Sequence, residues 1–258
     1  MEIRDAVVVV TGAGSGIGAA LARRFAAQGA TAVVVADRDA AAAGSVADEI
    51  GAIAEATDVT DEESVRALVA RAEERFGRID LFCSNAGVST GLGLDAPDDV
   101  WRQAFDVHLM AHVYAARAVL PGMLERGRGY LLNTASAAGL LTSPGDAPYT
   151  VTKHAAVAFG EWLAVHYGDQ GIGVSVLCPL GVATPMLMGP LDAGHAAARA
   201  VAASGEIIAP EQVADAVVAG ITAERFLILP HPEVGTFWAQ KAGDPDRWLA
   251  GMRRLLTR

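Results

Sequence analysis

The chain has 258 residues, 52% of them hydrophobic and 19% charged, a balance that excludes a disordered or polyelectrolyte chain and supplies a large core. Twenty Lys and Arg stand against 30 Asp and Glu, and the net charge of −10 excludes the basic footprint that nucleic acid binding requires. No stretch approaches the ~20 uninterrupted apolar residues of a membrane-spanning helix.

The two cysteines, Cys83 and Cys178, each sit in an apolar run, as buried thiols of a reducing compartment do. The apolar run at 6–10 is shorter than the core of a signal peptide and leads into a glycine loop. The expected setting is therefore the cytoplasm, with neither nucleic acid nor membrane as partner.

Short β-branched runs alternate with longer alanine-rich stretches of helical period, the order of βαβ units and of a parallel sheet covered on both faces. A strand is expected at 6–11 and a helix at 16–28, then a strand at 31–37 and a helix at 39–50. The next pairs are 52–57 with 61–76, 79–84 with 97–124, and 129–135 with 148–170. A strand at 173–178, a helix at 210–222, a strand at 226–229 and a helix at 245–256 complete the series. Asp61 ahead of Glu62 and Glu63 reads as an N-cap with an acidic first turn, and Gly77 as the end of that helix. Residues 184–208, rich in Gly, Pro, Met and Ala, break the alternation. They lie beyond the carboxyl end of the sixth strand, where a lid over a ligand belongs.

Directly after the first strand stands Thr11-Gly12-Ala13-Gly14-Ser15-Gly16-Ile17-Gly18, running into an apolar helix. Glycines let the backbone turn tightly and approach a pyrophosphate, whose charge the N–H groups at the helix N-terminus then hold. Asp37 closes the second strand 19 residues past Gly18, where a carboxylate can accept both adenosine ribose hydroxyls. The expectation is an α/β fold: a Rossmann-type doubly wound parallel sheet of about seven strands with helices on both faces. Residues 1–258 would form one dinucleotide-binding and catalytic domain.

Tyr149 and Lys153 lie four residues apart at the start of a long helix, so phenol and ammonium share one face. A nearby ammonium favours the phenolate, which predicts a lowered phenol pKa and a usable acid and base. Lys153 and Lys241 are the two lysines among 18 arginines, so a compact ammonium has been kept at this position. Ser136 stands 13 residues before Tyr149, just after the fifth strand.

Taken with Asp58-Val59 after strand three, Asn85-Ala86-Gly87 after strand four, and Pro179, Val182 and Thr184 after strand six, this pattern resembles the short-chain dehydrogenase/reductase family over nearly the whole chain. The resemblance implies hydride transfer between a nicotinamide and an alcohol or ketone. It makes Tyr149 the general acid or base and has Ser136 hold the substrate oxygen. Lys153 would bind the nicotinamide ribose and tune Tyr149. Gly12, Ser15, Gly16, Ile17 and Gly18 would cradle the pyrophosphate, and Asp58 and Val59 would touch the adenine. Asn85, Ala86 and Gly87 would flank the ribose, and Pro179, Val182 and Thr184 would meet the carboxamide.

Two residues depart from the family pattern. His108 stands where Asn is usual, and is expected to take the place of Asn as a hydrogen-bonding partner in a proton relay behind Lys153, with its imidazole neutral. Leu180 follows Pro179 where glycine is usual, with Gly181 one place later.

Asp37 predicts NAD over NADP, because a carboxylate repels a 2′-phosphate; Arg38 beside it leaves NADP as a secondary cofactor. The substrate is expected to be a small to medium uncharged secondary alcohol or its ketone. Met186, Leu187, Met188 and Leu191 are apolar, and no basic residue lies within 180–198. The helix from 151 to 167 is apolar nearly all round, which predicts a homo-oligomer, a tetramer foremost. No His, Cys or carboxylate set has metal-ligand spacing, and His154 and His195 stand without partners of that kind. A nucleotide sensor or a methyltransferase would share the glycine loop but would not need Ser136, Tyr149 and Lys153 together. Epimerases, dehydratases and lyases of the same family reuse all three.

Overall fold

A computed structural model describes residues 1–256. Seven strands, β1 (Val7–Thr11), β2 (Ala32–Asp37), β3 (Ile53–Ala56), β4 (Leu81–Ser84), β5 (Gly129–Thr134), β6 (Ile172–Leu177) and β7 (Leu227–Ile228), form one sheet in the order β3-β2-β1-β4-β5-β6-β7. Every pairing is parallel. The chain steps outward from β1 to β3 and returns to place β4 on the other side of β1. The carboxyl ends of β1 and β4 therefore splay open at a topological switch point.

Helices α1 (Gly16–Ala27), α2 (Ala40–Ile50) and α3 (Glu62–Phe76) follow the first three strands. Helices α4 (Asp98–Phe105) and α5 (Ala111–Glu125) join β4 to β5, and α6 (Ala147–Tyr167) joins β5 to β6. Helices α7 (Pro185–Asp192), α8 (Ala196–Ala202) and α9 (Pro210–Thr222) precede β7, and α10 (Glu233–Gly243) and α11 (Pro245–Leu256) follow it. Strand β1 is an unbroken apolar run because both its faces are covered. Val8 and Val10 pack with Leu21 and Phe25 of α1 and Val213 and Val217 of α9, whereas Val9 packs with Leu68 of α3, Val119 of α5 and Leu163 of α6. Each such wholly buried aliphatic side chain contributes about 1.5–3 kcal/mol.

Local chemistry sets the helix ends. The Asp61 carboxylate accepts the Glu63 N–H, and Gly77 ends α3 with φ 76°, as the sequence predicts. Gly160 lets α6 sit against the sheet, since a side chain there would collide with Val176 of β6.

Three expectations are corrected. The helix expected over 97–124 is interrupted by a π-helical turn at Asp106–Met110, and this wider turn carries His108. The 184–208 segment is not irregular: Pro185 occupies the first turn of α7, where its missing N–H costs nothing, and α8 follows. Helix α10 lies where the sequence predicts no element. Among the described residues no helix is long and apolar enough to cross a membrane, and Cys83 and Cys178 are free and buried.

Candidate active site

At the carboxyl edge of the sheet lies a cavity of 1790 Å³. Gly12, Ser15, Gly16, Ile17, Asp37, Arg38, Asp58, Val59, Asn85, Ala86, Gly87, Ser136, Tyr149, Lys153, Pro179, Val182 and Thr184 all line it. Gly18 and His108, both singled out from the sequence, stand behind its wall and do not line it.

The glycine loop is shaped by close approach. Gly12 has φ 63°, and a side chain on it would stand 2.7 Å from the Ala86 Cα. A Cβ on Gly18 would fall on the Gly12 carbonyl and 2.7 Å from Asn85 Nδ2. Asn85 ties the edge together: its Nδ2 donates to the Thr11 carbonyl at 3.1 Å, and its Oδ1 accepts the Thr134 hydroxyl at 3.2 Å. Its side chain thus serves the loop and β5, a use the sequence did not reveal. No side chain caps the N-terminus of α1, so the first-turn N–H groups lack a competing protein anion. Asp37 accepts Gly14 N–H at 2.9 Å and Asp39 N–H at 3.0 Å, which orients the carboxylate at the cavity rim. The Asp58 carboxyl is held below its usual value by hydrogen bonds from the Thr60 hydroxyl and N–H.

Helix α6 presents Tyr149 and Lys153 on one face, as their spacing predicts. Lys153 is 2% exposed; its Nζ donates to the Thr134 carbonyl at 2.9 Å and lies 5.6 Å from the centre of the Tyr149 ring. Ser136 arrives from the end of β5, its Oγ accepting the Ala138 N–H at 3.1 Å. His108 from the π turn meets the Tyr149 ring edge-on at 5.4 Å. His108 Nε2 accepts the Val88 N–H at 3.0 Å, so the ring proton sits on Nδ1 and is donated to Thr152 Oγ1 at 2.8 Å. Both ring nitrogens are spent on protein partners, and the ring braces the 88–92 loop against α6.

Burial decides the protonation of these groups. It pushes the Tyr149 phenol above its ordinary value; the neighbouring Ser136 hydroxyl pulls the other way, and the Asp146 charge adds to the rise. The direction is opposite to the lowering expected from the Lys153 spacing, because desolvation of the phenolate is the largest influence on the group. Burial also brings the Lys153 ammonium down to about 8, and burial with the Lys153 charge holds His108 well below its usual range and therefore neutral, as expected. His112, one turn further along, is wholly buried with no hydrogen-bond partner on either ring nitrogen, and is pushed to about 3.

The Lys153 shift makes a stability prediction. Unfolding restores the amine to 10.5, so the folded state bears the full cost of burying the ammonium below about 8, and that cost vanishes as pH rises to 10.5. The stability of the parent relative to Lys153→Met should rise across that window and stay level below it. Denaturant midpoints of both proteins against pH test this, and a pH-independent difference would contradict it.

Several site residues escaped the sequence reading. The 180–181 turn, where the family pattern is altered, is held by His231: Nδ1 accepts the Leu180 N–H at 3.1 Å and Nε2 donates to the Gly181 and Glu206 carbonyls. Its cue is the Pro230-His231-Pro232 sequence, a rigid turn around one polar ring. Phe237 and Gln240 of α10 and Trp248 and Met252 of α11 line the cavity. Lys241 ties α10 to the site, donating to the Leu140 carbonyl at 2.8 Å and the Leu141 carbonyl at 2.7 Å. The lysine count that marks Lys153 marks Lys241 equally. Met186 and Leu187 of the expected lid line the cavity, whereas Met188 and Leu191 do not. Arg102 and Arg247 bring positive charge to the cavity from outside 180–198. His154 accepts no role at the Tyr149 face; it bonds the Thr150 carbonyl at 2.9 Å, while His195 lines the cavity.

The family model described as short chain dehydrogenase matches residues 6–192. The 1-deoxy-11-beta-hydroxypentalenate dehydrogenase of Streptomyces exfoliatus is 41% identical over 218 residues, covering 81% of this chain and 78% of that protein. The enzyme of the same name from Streptomyces avermitilis is 35% identical over 258 residues, covering 97% and 93%. A short chain dehydrogenase/reductase from Burkholderia phymatum, solved in complex with NAD, matches with a TM-score of 0.87 at 31% identity over 95% of this chain and 96% of that one. The family match over most of the chain and the identity to these relatives place it plainly: the chain belongs to the short chain dehydrogenase family.

Proposed function

We propose that this protein is a nicotinamide-dependent oxidoreductase that interconverts a secondary alcohol and its ketone, with Ser136, Tyr149 and Lys153 at the reacting oxygen. The observation that carries this reading is the convergence of these three side chains, from β5 and α6, on the cavity that also holds the glycine loop. The names of the relatives, and the NAD of the Burkholderia structure, support it.

The glycine cradle fits a dinucleotide: Gly12 and Gly18 leave no room for side chains, and the bare N-terminus of α1 faces the cavity. NAD bound there would supply the ring carbon that takes or returns hydride. The residues of the loop and α1 would hold its pyrophosphate, Asp37 its adenosine ribose, and Lys153 its nicotinamide ribose, while Val182 and Thr184 would meet the carboxamide. Tyr149 takes the proton of the alcohol or returns it to the ketone, and Ser136 orients that oxygen by a hydrogen bond. His108 acts from behind, fixing the 88–92 loop against the Tyr149 helix.

Asp37 selects NAD over NADP by like-charge repulsion of a 2′-phosphate, with Arg38 leaving a residual NADP activity. The walls formed by Leu141, Leu180, Met186, Leu187, Phe237 and Trp248 suit a largely apolar alcohol. A panel of secondary alcohols with NAD and NADP, followed by absorbance of the reduced cofactor, tests the reading. Turnover with a higher kcat/KM for NAD is expected. Cofactor binding without turnover of any alcohol or ketone would overturn it.

The chain acts as one unit, with α7 and α8 closing over the substrate. It assembles as a tetramer through the outer face of α6, where Val151, Trp162 and Val165 are 45%, 48% and 82% exposed. Light scattering at micromolar concentration should find a tetramer; a monomer would contradict it.

A further inference from the structure

The loop after β4 lines the cavity through Val88, Thr90 and Gly91, and one buried carboxylate holds it. Asp146, 4% exposed, is the N-cap of α6, and its Oδ1 accepts the Tyr149 N–H at 3.1 Å. The same oxygen accepts the Thr90 hydroxyl at 2.5 Å, and Oδ2 accepts the N–H groups of Thr90 and Gly91, each at 2.8 Å. The Ala147 N–H donates to the Leu92 carbonyl at 2.9 Å, closing the seam. A cap needs one or two of these bonds. The other three join the helix that carries Tyr149 to a loop some 55 residues earlier in the chain, and Val88, Thr90, Gly91 and Asp146 all line the cavity.

We propose that Asp146 is a positioning residue, whose carboxylate clamps the 88–91 loop onto the first turn of α6 and so fixes the substrate-side wall of the cavity relative to the Tyr149 hydroxyl. This rests on the reading of Tyr149 as the acid and base. The clamp has an electrostatic consequence. The groups that bear on the phenol are Ser136 from β5, the neutral His108 from the π turn, Lys153 one turn along α6, and Cys178 just past β6, whose thiol burial pushes up to about 12. Among these described neighbours Asp146 supplies the negative charge, which opposes the phenolate.

Asp146→Asn removes the charge and offers an amide N–H₂ to a site built of donors, whereas Thr90→Val removes one bond and keeps the charge. Both should raise KM for the alcohol severalfold while the Kd for NAD stays within about twofold, because the cofactor contacts lie elsewhere. In Asp146→Asn alone, the acid limb of the pH profile for alcohol oxidation should move to lower pH, since the phenolate is no longer opposed. Hydrogen exchange of the amides at 88–92 should quicken in both variants, and this readout is independent of turnover. Unchanged KM, pH limb and exchange in a folded Asp146→Asn would overturn the proposal. If that variant does not fold, Thr90→Val decides: parental KM and exchange overturn the clamp. Failure of the Tyr149 reading is distinguishable, because it would leave the quickened exchange intact while Tyr149→Phe kept its activity.

Discussion

Tyr149→Phe should lose activity by about 10²–10⁴-fold in kcat, the range that a positioned general acid or base contributes, which is about 3–5 kcal/mol of barrier. The substitution removes the hydroxyl and little else. The ring keeps its place edge-on to His108 at 5.4 Å and beside Lys153, so the fold and the Kd for NAD should stay close to those of the parent. The parent should show a direction-dependent pH response. Because burial raises the phenol pKa, Tyr149 is protonated at neutral pH. It stands ready as an acid for ketone reduction, whereas alcohol oxidation needs the phenolate and should accelerate as pH rises towards that pKa. Steady-state kinetics in both directions check this. A Tyr149→Phe enzyme within about threefold of the parent kcat would remove Tyr149 from the chemistry.

Gly18→Ala should damage both cofactor binding and stability. The added methyl would land on the Gly12 carbonyl and within 2.7 Å of the Asn85 amide, which itself bonds the Thr11 carbonyl. Backbone rather than a flexible side chain must move, so overpacking should cost about 1–3 kcal/mol. For a chain of this size each kcal/mol lowers Tm by about 2–4 °C. The Kd for NAD should rise at least ~10-fold, because the loop that approaches the pyrophosphate is displaced. Gly44→Ala is the control: it lies inside α2 with nothing within 4 Å of the new methyl, and should stabilise by about 0.5–1 kcal/mol. Calorimetric binding and thermal melts of the two variants suffice. A Gly18→Ala protein that melts and binds NAD like the parent would show that the loop is not set by this contact.

The strands, most of the helices, the glycine loop and the shared face of Tyr149 and Lys153 were all legible in the sequence. Each rests on a local rule: apolar runs for doubly covered strands, Asp61 and Gly77 as helix ends, and four-residue spacing on a helix. The π turn was not legible, because residues 97–124 keep a continuous helical pattern and the extra residue in the turn leaves no mark on it. Helix α10 was not legible, because its 11 residues bury only Val234 and so carry no apolar stripe of helical period.

By itself, the sequence determined the family, the order of the sheet's building units and the residues that meet at its carboxyl edge, since those depend on periodicity and short spacings. Only the tertiary structure decided what the polar groups spend their hydrogen bonds on. His108 reaches Val88 and Thr152, Asp146 reaches Thr90 and Gly91, and Lys241 reaches carbonyls 100 residues away. It also decided the direction of the Tyr149 shift, because the four-residue spacing to an ammonium can be read in the chain, whereas desolvation exists only once the chain has closed around the ring.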